Sequence, residues 1–162
     1  ELELMMKTRA SYDVWMSRYL KKLTASICLL GSGALVAAEA VYPAKLTTAD
    51  LAGKAFDNPK TIITETPTGN ILDITSLKSS DGKFASGMYK AGKSRFEITE
   101  PYGVDEFMLF LEGSVTLTSD DGSQMTINAG EAVTIPREWT GIWETEGYRK
   151  IWVIYSKSGE GL

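Results

Sequence analysis

From Pro59 onward the chain consists of short β-branched and aromatic runs in which hydrophobic and polar positions alternate, broken by turn residues roughly every 8 to 12 positions. Ten runs are read as strands: Thr61–Glu65, Asn70–Leu77, Phe84–Tyr89, Ser94–Thr99, Glu106–Leu111, Ser114–Thr118, Gln124–Asn128, Ala132–Ile135, Gly141–Glu144 and Arg149–Tyr155. Between them lie Pro67-Thr68-Gly69, Asp81-Gly82, Ala91-Gly92, Pro101-Tyr102-Gly103, Asp121-Gly122 and Ala129-Gly130, all of them turn chemistry. No long helical period and no internal repeat interrupts this pattern. It predicts an all-β sandwich or barrel built from antiparallel hairpins. Asp121-Gly122 between VTLTSD and SQMTIN is a hairpin signal. Gly113, after FLE, is read as a tight turn between two strands where a side chain would clash.

The part before Pro59 reads differently. TTADLAGKAF fits one or two helical turns opened by Thr48 or its neighbour. Residues 16–40 have the three parts of a secretory signal: Arg18, Lys21 and Lys22, then an apolar stretch from Leu23 to Ala37, then Ala38-Glu39-Ala40. The stretch of about 15 residues is interrupted by Gly31 and Gly33, against the roughly 20 needed to span a bilayer. Met16 is a candidate start of translation. The expectation is residues 1–40 as leader and cleaved signal, 41–60 as an N-terminal extension, and 61–162 as the β domain. The product is then exported, periplasmic or secreted, with no stable membrane anchor after cleavage. The single cysteine, Cys28, would leave with the signal, so no disulfide is expected despite an oxidising destination.

Charge narrows the partners. Setting aside the five basic and four acidic side chains of residues 1–40 from totals of 17 and 21 leaves 12 and 17, a net charge of about −5. The basic residues are scattered, with only Arg149-Lys150 adjacent in the β domain. No footprint for phosphate backbones results, and no nucleic-acid partner is expected. The sequence also contains no histidine. Ser-His-Asp and Cys-His catalysis are therefore excluded, and no glycine loop precedes a helix to cradle phosphate.

Two motifs carry the chemistry. In AGKSRFEITEPYGVDEFMLFLEG, Glu106 and Gly113 stand in an E-x6-G spacing. In GEAVTIPREWTGIW, Gly130 and Pro136 stand as G-x5-P. With Asp105-Glu106-Phe107, Leu111-Glu112-Gly113, Ala129-Gly130-Glu131, Ile135-Pro136, Gly141-x-Trp143-Glu144 and Arg149-Lys150 in this order, Asp81 to Ile154 resembles the cupin family that includes the (S)-ureidoglycine aminohydrolase cupin domain. The resemblance implies a single small cupin β-barrel, a double-stranded jelly roll, and a homodimer.

Cupins place two histidines before that glutamate and a third after that proline, and hold a divalent metal with the four. Here those positions fall on Thr99 and Pro101, or Glu100 and Tyr102, and on Gly141. Glu138 stands where a glycine usually follows the proline. Only oxygen donors remain, which make a poor cage for a catalytic ion, so no metal and no cofactor is expected.

Alternation sets Met108 and Phe110 beside an inward Glu106, and Trp143 and Thr145 beside an inward Gly141. The missing imidazole at Gly141 is read as vacated volume lined by Trp139 and Trp143. A buried Glu106 needs a counter-charge. Of Arg149 and Lys150 only one faces inward, and Lys150 is favoured because Trp152 and Ile154 share its face. Tyr89 and Tyr102 are placed at the barrel rim, and Glu144 outward.

The candidate catalytic set is Glu106, Lys150 and Tyr102, and the candidate ligand-binding set is Glu100, Met108, Phe110, Trp139 and Trp143. The functional expectation is an exported, metal-free cupin binding a small organic ligand in its barrel. One alternative is a carbon–nitrogen hydrolase or isomerase using Glu106 as acid or base; the other is a structural homodimer with a filled barrel. An interior open to solvent beside Glu106 favours the first two.

Overall fold

A computed structural model describes residues 42–160 and 162. The leader and signal expected over residues 1–40 lie outside the described residues. No described helix is long and apolar enough to cross a membrane.

Apart from one short α-helix, α1 (Thr48–Leu51), and a 3-10 turn at Lys54–Asp57, the regular elements are strands: β1 (Ile62–Thr64), β2 (Ile71–Lys78), β3 (Phe84–Ile98), β4 (Asp105–Ser119), β5 (Gln124–Asn128), β6 (Ala132–Ile135) and β7 (Gly141–Tyr155). All pairings are antiparallel, in the order β1-β2-β3-β7-β4-β5 with β6 also on β4. The described residues form an all-β fold of the jelly-roll barrel type.

Ten predicted runs became seven strands because three glycine breaks are bends inside continuous strands. The runs around Ala91-Gly92 fuse into β3, those around Gly113 into β4, and those around Gly147 into β7. These glycines meet across the sheet: Gly92 pairs with Gly147, which also pairs with Ser114 beside Gly113. A Cβ on Gly113, at φ 71°, would collide with the Gly147 carbonyl, and one on Gly92 with the Thr68 carbonyl. Backbones this close leave no room for side chains, so a crease forms across the three long strands. The register of β4 against β7 shifts on both sides of it, as bulges do where a strand bends.

The turn between β5 and β6 closes on the same crease. Ala129 N donates to Gly113 O (3.0 Å), Gly130 N to Phe110 O (2.8 Å), and Phe110 N to Glu131 O (3.0 Å). The first half of β4 pairs with β6, setting Glu106 opposite Ile135, and the second half pairs with β5. The two sequence motifs are therefore neighbours in space. The Asp121-Gly122 hairpin forms as a three-residue loop closed by Ser119 N donating to Ser123 O (2.9 Å), with Gly122 at φ 81°.

Helix α1 opens where the sequence placed it, at Thr48 with its neighbour as the cap. Thr47 is its cap, and the side chains and backbone of Thr47 and Asp50 bond reciprocally in a capping box. Arg149 Nη1 donates to Ala52 O (2.9 Å) and lies 3.0 Å from Glu112 Oε2, which ties residues 48–57 to the outer face of the barrel.

Candidate functional site

Three elements converge inside the barrel. Glu106 enters from the start of β4, Lys150 from the middle of β7, and Tyr102 from the loop before β4. That loop is fixed to the loop before β7 by two backbone bonds, Tyr102 N to Trp139 O (3.0 Å) and Gly103 N to Arg137 O (2.8 Å). A left-handed Gly103 (φ 90°) makes the approach possible.

Lys150 Nζ donates to Glu106 Oε1 at 2.8 Å, and the Tyr102 hydroxyl donates to Glu106 Oε2. Each of the three side chains is close to fully buried, with residue exposures of 4% for Glu106, 5% for Lys150 and 6% for Tyr102. An unpaired carboxylate would be costly here; one holding two charge-assisted bonds is compensated. The ammonium also lies 5.1, 5.5 and 5.8 Å from the ring centres of Trp143, Tyr89 and Tyr148, and against the Met108 sulfur. Facing ring quadrupoles add to the stabilisation of the cation.

Of the alternatives left open at Arg149-Lys150, the structure turns Lys150 inward and Arg149 outward. Met108, Phe110 and Trp143 are buried on the interior face with the cluster. Trp139 is half-buried, packs edge-on against Tyr102 and donates from Nε1 to Ser119 Oγ (3.2 Å). Trp152 is buried, Ile154 half-buried and Glu144 outward, 3.8 Å from Arg95.

Three placements differ from expectation. Tyr102 is no rim residue but a member of the buried cluster, drawn in by its bond to Glu106. Glu100, two positions earlier on the same loop, is exposed and joins nothing in the cluster. Gly141 leaves no vacated volume: a Cβ there would strike the Thr118 carbonyl and lie 2.8 Å from Trp139 Cζ2. Trp139 has filled the space, and at φ 150° the position suits glycine alone.

That last point bears on metal. Cupins hold a divalent ion through side chains at these positions, and the residues present do not fit one. Among the described residues no three His, Cys, Asp or Glu side chains gather. Both Glu106 oxygens are engaged, and an ammonium occupies the ground beside the carboxylate where a cation would have to sit.

Sequence reasoning missed Tyr148 and Asp73. Tyr148 is buried and packs on Phe110 (5.3 Å), Trp143 (5.9 Å) and Tyr89 (6.0 Å) between ring centres. Burial, with Tyr89 and Glu106 nearby, pushes its hydroxyl well above the ordinary value of 10.0. Stepping back two residues from Lys150 along β7 would have found it. Asp73 of β2 pairs with Tyr89, which pairs with Lys150, so it shares the interior face. Only strand register reveals it.

A separate groove of about 460 Å³ lies at the other end of the long strands, lined by Glu97, Thr99, Thr118, Asp120 and Thr140 among others. It opens on the outer face and shares no residue with the cluster.

Comparison with known proteins follows the geometry. Residues 78–152 match the EutQ-like cupin domain. Among solved structures, one of unknown function from Rhizobium leguminosarum is 24% identical, covering 72% of this chain and 99% of that one at a TM-score of 0.50. A Pseudomonas syringae pv. tomato protein of the DUF861 family is 18% identical over 58% of this chain and 43% of its own, at 0.52. The EutQ protein of Clostridium difficile is 17% identical over 62% and 73%, at 0.46. Similarity at this level establishes the fold alone. No curated protein matches the chain.

Proposed function

We propose, for a chain whose residues 78–152 form an EutQ-like cupin domain, that the barrel is a metal-free receptor for a small organic ligand, centred on Tyr102, Glu106 and Lys150. The carrying observation is the buried ionic cluster itself. A buried ion pair adds little stability over well-packed apolar side chains of the same volume, so an interior built only for stability has no need of one. Ionisable groups placed together in a family's ligand cavity are candidates for recognition. The half-buried Tyr89 and Trp139 are the side chains that would move to admit a ligand.

Binding is favoured over acid–base catalysis because both Glu106 oxygens already accept bonds from this chain. The hydrolase or isomerase reading, suggested by the ureidoglycine aminohydrolase resemblance, requires one of those bonds to open. The reading also includes export after removal of residues 1–40, supported by the three-part signal pattern; a mature product that retains Cys28 by intact mass would reject it.

A metabolite thermal-shift screen on the purified protein, with elemental analysis without chelator, tests the proposal. At least one small-molecule class should raise the melting temperature, and transition metal should fall well under one equivalent. Stoichiometric metal that is lost on Glu106→Gln would overturn it in favour of a metalloenzyme.

A second reading, the filled-barrel homodimer, is favoured by two observations. Met108 and Phe110 have no exposure at all and Trp143 only 2%, leaving little space beside the cluster. On the outer face, exposed Phe84, Tyr155 and Phe107 sit on the adjacent strands β3, β7 and β4. A silent screen together with a dimer in solution that dissociates on Phe107→Lys would favour this reading.

A further inference from the structure

We infer that the groove at the far end of the long strands is a second binding site, for a neutral polyhydroxyl ligand of about disaccharide size. The inference goes beyond the barrel reading and does not depend on it, since the groove contains none of Tyr102, Glu106 and Lys150.

Strand register lays the groove out. Glu97 of β3 pairs with Ile142 of β7, and Ile142 pairs with Thr118 of β4. Residues directly opposite one another in a sheet share a face, so the three form a row with an apolar side chain between two polar ones. Neighbouring strands lie about 4.8 Å apart, which sets Glu97 and Thr118 roughly 10 Å apart at their backbones. Past Thr118 the hairpin adds Ser119 and Asp120, and the loop before β7 adds Thr140, whose hydroxyl donates to Asp120 Oδ2. The volume of about 460 Å³ is in the range that receives small organic ligands.

The hydrogen-bonding capacity left over in this lining selects the ligand. Among the described residues, the Glu97 carboxylate and the Thr99 hydroxyl have no hydrogen-bond or ion-pair partner. Asp120 keeps Oδ1 open, and the Thr140 hydroxyl, having given its proton to Asp120, keeps its lone pairs. Thr118 Oγ1 accepts from Gln124 Nε2 (3.2 Å) and Ser119 Oγ from Trp139 Nε1 (3.2 Å), so each still has a proton to donate. Donors and acceptors therefore stand side by side, and an alcohol hydroxyl is the group that meets both at once. An ammonium only donates and leaves the Thr118 and Ser119 protons unmet. An anion faces two carboxylates with no lysine or arginine in the lining; the cation two positions back on β3, Arg95, lies 3.8 Å from Glu144. Ile142, half-buried at the centre of the row, offers the C–H side of a sugar ring an apolar surface.

The test titrates the 15N-labelled full chain with cellobiose, maltose and chitobiose, three neutral disaccharides, and with 1,6-diaminohexane, which carries two ammonium groups and no hydroxyl. At least one disaccharide should shift the backbone amides of Thr118, Gly122, Gly141 and Ile142 saturably. Glu97→Gln and Thr118→Val are close to isosteric at positions on the outer face. The first should weaken that disaccharide about tenfold or more and the second about threefold to tenfold, while the rest of the spectrum verifies folding.

If none of the three disaccharides moves these amides, the inference falls. If the diamine moves them at least as tightly as any sugar, the groove is an acidic patch and the polyhydroxyl assignment falls. If a sugar binds but neither variant weakens it, or its shifts centre on Tyr89, Tyr102 and Lys150, the sugar sits elsewhere and the groove assignment falls while the barrel reading stands.

Discussion

The crease at Gly92, Gly113 and Gly147 divides the barrel into two ends built from the same three strands but filled with different chemistry. On one side stand Glu106, Lys150, Met108, Phe110 and Trp152; on the other Ile98, Val115, Leu117 and, from β5, Ile127, all buried and apolar. Among the described residues every buried charge is at the first end and linked to another polar group. The apolar end has no buried charged group, and its side chains gain by transfer from water alone. Burial is nearly equal at the two ends, so depth does not distinguish them. What does is whether removing one side chain leaves an empty space or an unpaired charge.

The crease itself is where a single change should do most harm. Gly113→Ala places a Cβ against the Gly147 carbonyl at a left-handed φ of 71°. Strain from φ alone is about 1–3 kcal/mol, and a backbone collision adds to it. A loss of at least about 4 kcal/mol, or failure to fold, is expected in urea denaturation. A variant within about 1 kcal/mol of wild type would mean that the two ends are not held apart by this contact.

Next come the paired charges. Glu106→Gln and Lys150→Met should each cost about 3 to 5 kcal/mol, because each strands its partner in a low-dielectric interior. The double variant should lose clearly less than the sum of the two. Strict additivity in the cycle would dissolve the cluster as a unit and erase the distinction between the ends.

The apolar end should respond in the opposite manner. Ile127→Ala leaves a cavity worth about 3 kcal/mol, and combining it with Glu106→Gln should give the sum of the two effects to within about 0.5 kcal/mol. Coupling between these distant sites would show that the crease transmits what it was expected to isolate.

The division was only partly legible in the sequence. Period-two alternation gave the strands, and the E-x6-G and G-x5-P spacings pointed to the barrel, because both are local patterns. Even the inward turn of Lys150 followed from the apolar company of Trp152 and Ile154. The continuity of β3, β4 and β7 was not visible. A glycine in sequence marks either a turn or a close approach, and only the neighbouring strand decides which. The same limit applies to Gly141: the missing side chain suggested empty space, whereas Trp139, from outside the strand, occupies it. Tyr102 and Asp73 owe their positions to a loop-to-loop bond and a strand register, relations between distant segments that no window on the chain contains.

The smallest predicted effect isolates Tyr148, which links the two ends by touching both Trp143 and Phe110. Its hydroxyl is held well above 10.0 by burial first, and then by the proximity of Tyr89, Glu106 and, more weakly, Asp73. In the unfolded chain it ionises at its ordinary value. Between that value and the higher folded one, the unfolded state binds fewer protons than the native state, so stability must fall as pH rises. Its contribution is fully present below pH 10 and is lost above it, at up to about 1.4 kcal/mol per pH unit for one proton. Other tyrosines and lysines titrate in the same window, so the informative quantity is a difference. Denaturation of wild type and Tyr148→Phe from pH 8 to 11.5 should give a constant offset below pH 10 and, above it, a shallower decline for the variant. Parallel curves throughout would mean that Tyr148 ionises in the folded protein as readily as in the unfolded chain, and that the ionic end is open to water at that residue.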